Sequence, residues 1–319
     1  MEGLVYKSTG SWYLVKSDGG KFYRCRIKGK FRIKGIKSTN PVAVGDRVEI
    51  KLEKKSSEEE ETGVITKIKD RENYIIRKSV NLSKQTHIIA ANIDQAFLLI
   101  TLNNPPTFTT FIDRFLVTAE AYGIKAILLF NKIDTYNEDE LTEIKFLAAM
   151  YRSIGYECIG ISAKTGKNLD RVKDLMKDKT SMISGHSGTG KSTLINAIQP
   201  SLDLKTTQIS EQHKQGQHTT TFAEMFDLDF GARIIDTPGI KGFGVVDIQK
   251  EELGDYFPEF FARKQDCKFH NCLHLDEPKC AVKDALEAEE IPWSRYRSYL
   301  QILEGEEDQQ YRIDNYEQE

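Results

Sequence analysis

The stretch "ISGHSGTGKSTLINAI", Ile183 to Ile198, decides the fold class of this chain. Its centre, "GHSGTGKS", matches the phosphate-loop pattern G-x-x-x-x-G-K-[ST] at every defined position. The preceding "SMIS" can form a short strand and the following residues have a helical pattern, so a helix N-terminus would face the bound anion. The alternative is a chance glycine-rich turn before a helix. The residues predicted to surround the phosphates are Gly185, His186, Ser187, Gly188, Thr189, Gly190, Lys191, Ser192 and Thr193.

The loop residues have distinct expected roles. The glycines allow backbone N–H groups to turn toward the phosphates. Lys191 is expected to reach the β- and γ-phosphates, and Ser192 to bind Mg²⁺. A phosphate loop alone does not separate ATP from GTP, or hydrolysis from kinase chemistry. A P-loop kinase or ATPase is therefore the first alternative, and other motifs have to decide.

A second motif, "RIIDTPGI" from Arg233 to Ile240, is an apolar strand that ends in Asp-x-x-Gly. Asp236 can hold Mg²⁺ through water, and the Gly239 N–H can sense a γ-phosphate. The alternative is an ordinary strand end followed by a Pro-Gly turn. Together with the phosphate loop, the motif favours a nucleotide hydrolase.

Two further motifs can read the base. "LLFNKID", Leu128 to Asp134, places Asn131, Lys132 and Asp134 after an apolar strand, at the sheet edge where ligands bind. The Asp134 carboxylate can accept hydrogen bonds from N1–H and the exocyclic amine of guanine, whereas adenine lacks that donor pair. "ISAKTG" follows another apolar strand and can direct backbone N–H groups to the base oxygen through Ser162, Ala163 and Lys164.

These four stretches look like the G1, G3, G4 and G5 motifs of GTPases. The fifth, G2, needs a threonine between G1 and G3, and "KQGQHTTTF" supplies Thr220 as the expected Mg²⁺ ligand, with Thr219 as the alternative. The order along the chain is G4–G5–G1–G2–G3, which is circularly permuted. A sheet tolerates permutation because moving the chain ends does not change which strands are neighbours.

The N-terminal segment predicts a small β-barrel that binds RNA. Short alternating strands bounded by turn residues run from residue 1 to about 75. Phe22, Tyr23 and Phe31 can stack on bases or fill the barrel core, and both options stay open. Cations unopposed by any acid within the same stretch favour RNA. They are Lys21, Arg24, Arg26, Lys28, Lys30, Arg32, Lys34 and Lys37.

The C-terminal segment predicts a structural zinc site. Cys267, Cys272, His274 and Cys280 are spaced C-x₄-C-x-H-x₅-C. Three thiolates and one imidazole fill a tetrahedral zinc shell and leave no open position for catalysis. The alternative is three free cysteines in a reducing compartment.

Composition sets the remaining bounds. The chain has 319 residues with 39% apolar and 29% charged residues, which suits a multidomain globular protein. No apolar run is long enough to span a bilayer and no secretory signal is evident, so a cytoplasmic location and no membrane partner are expected. No heptads are evident, and a monomer is expected. The predicted domains are a barrel at 1–76, a permuted GTPase at 77–247, and a mostly helical zinc-binding domain with an acidic tail at 248–319.

The chain resembles one family of permuted GTPases, the ribosome small-subunit-dependent GTPase A (RsgA) family. The resemblance rests on the motif order, on "GQHTTT" and "DTPGI", on the barrel before the GTPase, and on "CKFHNCLHLDEPKCAV" after it. It implies an OB-fold barrel, a central domain with a mostly parallel sheet and helices on both faces, and a zinc domain. It also implies GTP or GDP with Mg²⁺, one Zn²⁺, and the small ribosomal subunit with its rRNA, not DNA, as partner. The implied activity is GTP hydrolysis on the subunit during late maturation.

The hydrolytic machinery departs from the common GTPase pattern. Many GTPases place a glutamine after Asp-x-x-Gly to orient the attacking water, but Ile240 occupies that position and cannot hydrogen-bond to water. His218 is the candidate replacement, and the resemblance supports it; a histidine that only meets rRNA or solvent is the alternative. Slow hydrolysis alone and faster hydrolysis on the ribosome are expected. The second alternative is an RNA-binding protein that uses GTP as a structural switch ligand with little hydrolysis.

Overall fold

The N-terminal residues form a closed five-stranded barrel. The computed structural model describes residues 1–27, 41–53, 62–78, 86–202, 223–236 and 248–305. The strand order is β1-β2-β3-β5-β4, closed by pairing of β4 with β1, and only the β3–β5 pair is parallel. This is the OB-fold topology, as predicted. The strands are β1 (Glu2–Ser8), β2 (Tyr13–Ser17), β3 (Phe22–Ile27), β4 (Arg47–Glu53) and β5 (Thr62–Ile68).

The barrel core follows from the alternation of the strands. Val5, Val15, Cys25 and Ile65 are fully buried and point inward, while their strand neighbours are more exposed. Alternation of this kind is what a half-buried strand requires. The chain then passes through a separate antiparallel hairpin of β6 (Tyr74–Lys78) and β7 (Thr86–Ala91) before it enters the central domain.

The central domain is a mostly parallel sheet. Its strand order is β10-β9-β8-β11-β13-β12, in which only β12 is antiparallel to its neighbour within the domain. The strands are β8 (Gln95–Ile100), β9 (Lys125–Phe130), β10 (Glu157–Gly160), β11 (Thr180–Ser184), β12 (Glu224–Asp227) and β13 (Arg233–Asp236). The helices are α1 (Thr109–Tyr122), α2 (Glu138–Ser153), α3 (Leu169–Met176) and α4 (Lys191–Ile198).

Helices cover both faces of this sheet, as predicted. All six residues of β8 are buried, which is typical of a parallel strand covered on both sides. Leu98 packs in the core that includes α1 and α2, while its neighbour Leu99 packs in the core that includes α3 and α4. The permuted chain therefore builds a doubly covered α/β sheet.

The barrel joins the central domain at the edge strand β12. Lys7 of β1 pairs with Glu224 of β12, and their side chains form an ion pair of 2.7 Å. The Tyr6 hydroxyl donates to Asp227 at 2.6 Å, and Lys16 binds the other oxygen of the same carboxylate at 2.6 Å. The barrel is thus attached to the strand that lies between the predicted G2 segment at 214–222 (switch I) and the Asp-x-x-Gly segment that begins at Asp236 (switch II).

The C-terminal domain is mostly helical, as predicted. Its core contains Leu253, Phe257, Phe260 and Tyr299, together with Val117 from α1 of the central domain. None of the helices in the described ranges is both long and apolar enough to cross a bilayer. Its elements are a 3₁₀ helix (Lys250–Tyr256), α5 (Pro258–Lys264), α6 (Ala281–Glu287) and α7 (Trp293–Glu304).

A buried ion network ties this domain to the GTPase sheet. Arg295 of α7 is fully buried and donates to Asp113 of α1 and to Glu259 of α5, each at 2.6 Å. The Asp113 carboxylate also accepts from the Tyr151 hydroxyl at 2.8 Å. Because the guanidinium on α7 binds carboxylates on both α1 and α5, Arg295 fixes the C-terminal domain against α1.

We expect Arg295→Ala to lower the free energy of unfolding by about 3–5 kcal/mol, because it leaves Asp113 buried without its counter-charge. Urea unfolding at neutral pH measures the change. Arg297→Ala on the same helix is the matched control, because Arg297 is exposed and should change stability by less than about 0.5 kcal/mol. Equal stabilities of the two variants would contradict the assigned role of Arg295.

Candidate nucleotide-binding site

The phosphate loop connects β11 to α4 with backbone angles that require glycine. Gly185 has φ 145° and Gly190 has φ 100°. A Cβ atom on Gly190 would lie 2.5 Å from the Asn131 side-chain nitrogen, and one on Gly185 would lie 2.8 Å from the Leu99 carbonyl oxygen. Both the left-handed conformation and the close approach therefore exclude larger residues. The loop leads directly into the N-terminus of α4, as the sequence predicts.

Lys191 is the first residue of α4 and directly follows the glycine that ends the loop. Its ammonium donates to the carbonyl oxygens of Gly185 and His186, each at 2.6 Å. Burial lowers the pKa of Lys191 to about 8, and the nearby Asp236 carboxylate opposes that change. An anionic phosphate placed beside the ammonium would favour its charged form. The position of Lys191 is therefore suited to a phosphate ligand.

Asn131 joins three motifs that are far apart in the sequence. Its amide nitrogen donates to the carbonyl oxygen of Thr189 in the phosphate loop at 2.8 Å. Its amide oxygen accepts from the backbone N–H of Ala163 at 3.0 Å. The side chain is 2% exposed, so both bonds are shielded from water. One asparagine thus brings the "NKID", "SAK" and phosphate-loop segments to the same sheet edge.

The predicted base-reading residues surround this edge. Asp134 is exposed and lies in the turn after β9. Ser162 is fully buried, and its hydroxyl accepts from the Thr165 backbone N–H at 3.1 Å, which closes the turn after β10. Lys132 is in the left-handed region with φ 68°, and burial lowers its pKa. No residue in the described ranges forms a hydrogen bond with the Asp134 carboxylate, so this group is available to a ligand.

The segment after β8, residues 103–106, also borders the site, although it was not predicted from the sequence. The ammonium of Lys132 donates to the carbonyl oxygen of Asn104, in the segment that follows β8. The Pro105 ring borders the phosphate loop, because a Cβ on Gly188 would lie 3.2 Å from it. The signal was present: "NNPP" follows an apolar strand and so falls at the same carboxyl edge as the other motifs.

The switch residues fall largely outside the described ranges. His218, Thr219, Thr220, Gly239 and Ile240 belong to 203–222 and 237–247. Asp236, the last residue of β13, is described and lies near enough to Lys191 to affect its pKa. The roles assigned to the five switch residues therefore stay predictions.

The predicted metal ligands of the C-terminal domain come together. The potential ligand atoms of Cys267, Cys272, His274 and Cys280 all lie within 4.8 Å of one another. His274 directs Nδ1 into the cluster, 3.4 Å from the Cys280 sulfur and 3.8 Å from the Cys267 sulfur. Burial raises the pKa of the Cys272 thiol to about 12, so a cation at this position would be needed to favour the thiolate. The donor set and its spacing fit a tetrahedral metal.

Neighbouring side chains hold the ligand-bearing loop. Glu277 accepts from the backbone N–H groups of Leu273 and Leu275, both at 2.8 Å. The Tyr296 hydroxyl donates to the His274 carbonyl oxygen at 2.6 Å, and the Tyr299 hydroxyl to that of Leu273 at 2.7 Å. These bonds orient the His274 backbone, which has the unusual φ of 58°. The cluster is thus preorganised by residues outside the Cys/His pattern.

The described part of the basic strand pair presents aromatic and cationic groups together. The Arg24 guanidinium lies 5.0 Å from the centre of the exposed Trp12 ring, and Phe22 is 45% exposed. Tyr23 is buried in the barrel core. Of these two neighbours, Tyr23 therefore fills the core, while Phe22 is exposed and available for stacking on a base. Arg26 pairs at 2.7 Å with Glu53 of β4, an acid outside the stretch from Lys21 to Lys37. Residues 28–37, with Phe31, Lys28, Lys30, Arg32, Lys34 and Lys37, lie outside the described ranges.

The fold and the site define the class of protein. The phosphate loop, the end of β13 at Asp236 and the "NKID" segment lie on one sheet in permuted order, so the chain is a circularly permuted GTPase. A kinase or ATPase would not need the "NKID" motif, whose carboxylate is predicted to read guanine. The first alternative is therefore set aside.

The chain belongs to the RsgA GTPase family. The model of the RsgA GTPase matches residues 68–246, and that of the RsgA N-terminal domain matches residues 2–65. The small ribosomal subunit biogenesis GTPase RsgA of Christiangramia forsetii is 78% identical over 317 residues, covering 99% of this chain and 100% of that protein. That of Flavobacterium psychrophilum is 67% identical over 316 residues, covering 99% and 96%.

Solved structures agree in fold. The crystal structure of YjeQ from Thermotoga maritima has a TM-score of 0.76 at 35% identity, covering 95% of this chain and 97% of that one. The crystal structure of YloQ, described as a circularly permuted GTPase, has a TM-score of 0.72 at 32% identity, covering 95% and 94%. These matches confirm the predicted family and the permuted GTPase fold.

Proposed function

We propose that this chain is a GTP-hydrolysing ribosome biogenesis factor that binds the small ribosomal subunit through its rRNA and assists late maturation. The observation that carries the proposal is the Asn131 side chain, which bonds to Thr189 and Ala163 and so holds together the three segments predicted to bind a guanine nucleotide. The partner follows from the family, since close relatives are named small ribosomal subunit biogenesis GTPases. We propose that it acts in the cytoplasm as a monomer, with domains at 1–76, 77–247 and 248–319.

The proposed nucleotide contacts follow the geometry of the sheet edge. Asp134 accepts from guanine, with Asn131 and Lys132 supporting the base site. The backbone of Ser162, Ala163 and Lys164 faces the base oxygen, and residues 185–193 face the phosphates. Ser192 and Thr220 would hold Mg²⁺, with Asp236 acting through water; the ion would stabilise charge on the phosphate oxygens. The Gly239 N–H senses the γ-phosphate.

Hydrolysis needs a group that orients the attacking water. Ile240 cannot do so, and we assign the task to His218, which directly precedes the switch I threonines. Lys191 stabilises the charge that develops between the β- and γ-phosphates. Because His218 belongs to a switch segment, the reaction would be slow until a partner places that segment over the nucleotide.

The barrel is the proposed rRNA contact. Trp12 and Phe22 present ring faces next to Arg24, a combination that can stack on unpaired bases and meet phosphates. The cations from Lys28 to Lys37 extend this stretch along the sequence. Co-sedimentation of the full chain with purified small subunits, and with large subunits as the control, tests the partner. Equal retention by both subunits would contradict the proposal.

We assign the Cys/His cluster to one structural Zn²⁺, because three thiolates and one imidazole leave no open position. Purified protein should contain one zinc per chain by elemental analysis, and Cys272→Ser should lose it. Loss of the metal should lower the thermal unfolding midpoint of the chain, since the cluster lies in the core of the C-terminal domain. Cys158→Ser, which changes a buried strand cysteine outside the cluster, is the control and should retain the zinc.

A further inference from the structure

An aromatic pair links the phosphate loop to α1. The ring of His186, the second loop residue, lies against the ring of Phe111 with centroids 3.7 Å apart and planes inclined by 35°. Phe111 is buried in the first turn of α1, and His186 is half-buried. Burial and the neighbouring Lys191 charge lower the pKa of His186 to about 4, so its ring is uncharged at neutral pH. A neutral ring can stack on phenylalanine without adding a second charge beside Lys191.

The backbone of the same histidine organises the loop. The His186 carbonyl oxygen accepts from the Lys191 ammonium at 2.6 Å and from the Thr189 hydroxyl at 2.9 Å. A shift of His186 would therefore move an acceptor of the lysine that is expected to meet the phosphates. Three of the six residues between β11 and α4 are glycines without side chains, so a side chain that reaches another element has a large influence on loop position.

The helix on the other side of the pair is firmly held. Asp113, two residues after Phe111, is bonded to Arg295 of the C-terminal domain and to Tyr151 of α2. Val117, further along α1, packs in the core of the C-terminal domain. The ring of Phe111 is thus carried by a helix that two neighbouring elements fix in place.

From this geometry we infer that Phe111 and His186 form a positioning pair for the phosphate loop, through which α1 sets the loop geometry for nucleotide binding. The inference rests on the proposed GTP-binding function of the loop. Neither ring needs to touch the nucleotide, because the pair acts through the carbonyl oxygen of His186 and through Lys191. Loss of the pair should therefore displace Lys191 and weaken nucleotide binding.

The test measures GDP and GTP affinity with fluorescent nucleotides. His186→Ala and Phe111→Leu are each expected to weaken affinity about three- to tenfold. The double variant should bind nucleotide about as tightly as either single variant, because both changes remove the same contact. His186→Phe, which restores an aromatic pair, should recover most of the affinity.

Phe115→Leu is the matched control. Phe115 lies one helical turn after Phe111 and is buried in the core of the central domain, so this change should lower the unfolding midpoint without changing nucleotide affinity. Unchanged affinity in folded His186→Ala, or additive losses in the double variant, would overturn the inference while leaving the proposed function intact. Failure of the unaltered chain to bind GTP would overturn both. If Phe111→Leu does not fold, the comparison of His186→Ala with His186→Phe decides.

Discussion

Replacing Asp134 by asparagine is expected to change nucleotide preference from guanine to xanthine. The carboxylate accepts two hydrogen bonds from guanine, and each bond to a charged group contributes about 1.5–3 kcal/mol. GTP affinity should therefore fall by about 100-fold or more in Asp134→Asn. Xanthine has a carbonyl where guanine has its exocyclic amine, so the asparagine amide can donate to it while its oxygen accepts from N1–H.

Competition between GTP and XTP for a fluorescent nucleotide measures this change. Asp139→Asn is the matched control, because Asp139 is also an exposed acid near the start of α2 but lies outside the base-reading motif. It should keep the preference for GTP. If Asp134→Asn binds GTP as tightly as the unaltered chain, Asp134 does not read the base, and the guanine assignment fails.

Much of this site could be predicted because its chemistry depends on short local patterns. The glycines of the phosphate loop report backbone angles that other residues rarely adopt, and the structure shows those angles at Gly185 and Gly190. The Cys/His cluster follows from spacing, and the potential ligand atoms of its four residues lie within 4.8 Å of one another as expected. The permuted order could be recognised because each motif lies next to its own strand. Which strands are neighbours in the sheet does not depend on where the chain starts.

The contacts between domains could not be predicted in the same way. Nothing in "WSRYRSYL" marks Arg295 as the buried residue and Arg297 as the exposed one, because either could lie on the packed face of α7. The attachment of β1 to β12 joins residues more than 200 positions apart, and no local pattern reports such a pairing. The ion pair of Arg26 with Glu53 was likewise not predictable, because Glu53 comes near Arg26 only when the barrel closes.

The second large effect expected is stimulation of hydrolysis by the small subunit. Ile240 leaves the usual water-orienting position without a hydrogen-bonding side chain, so the chain alone should turn over GTP slowly. We propose that binding to the subunit places switch I over the nucleotide and brings His218 to the attacking water. A positioned acid–base group contributes about 10²- to 10⁴-fold to the rate, which sets the expected size of the stimulation. His218→Ala should bind the subunit but lose most of that stimulation.

The alternative, in which GTP is only a structural switch ligand, makes the opposite prediction. It expects nucleotide binding, and subunit binding, with little phosphate release in either condition. Lys191→Ala separates nucleotide-dependent turnover from contaminating activity, because that variant should hydrolyse GTP neither alone nor on the subunit.

The most direct measurement is therefore the rate of phosphate release from GTP by the full chain, with and without purified small subunits. Large subunits and Lys191→Ala serve as the two controls. We expect a rate that rises by about 100-fold or more with small subunits only. Equal rates with and without small subunits would contradict it.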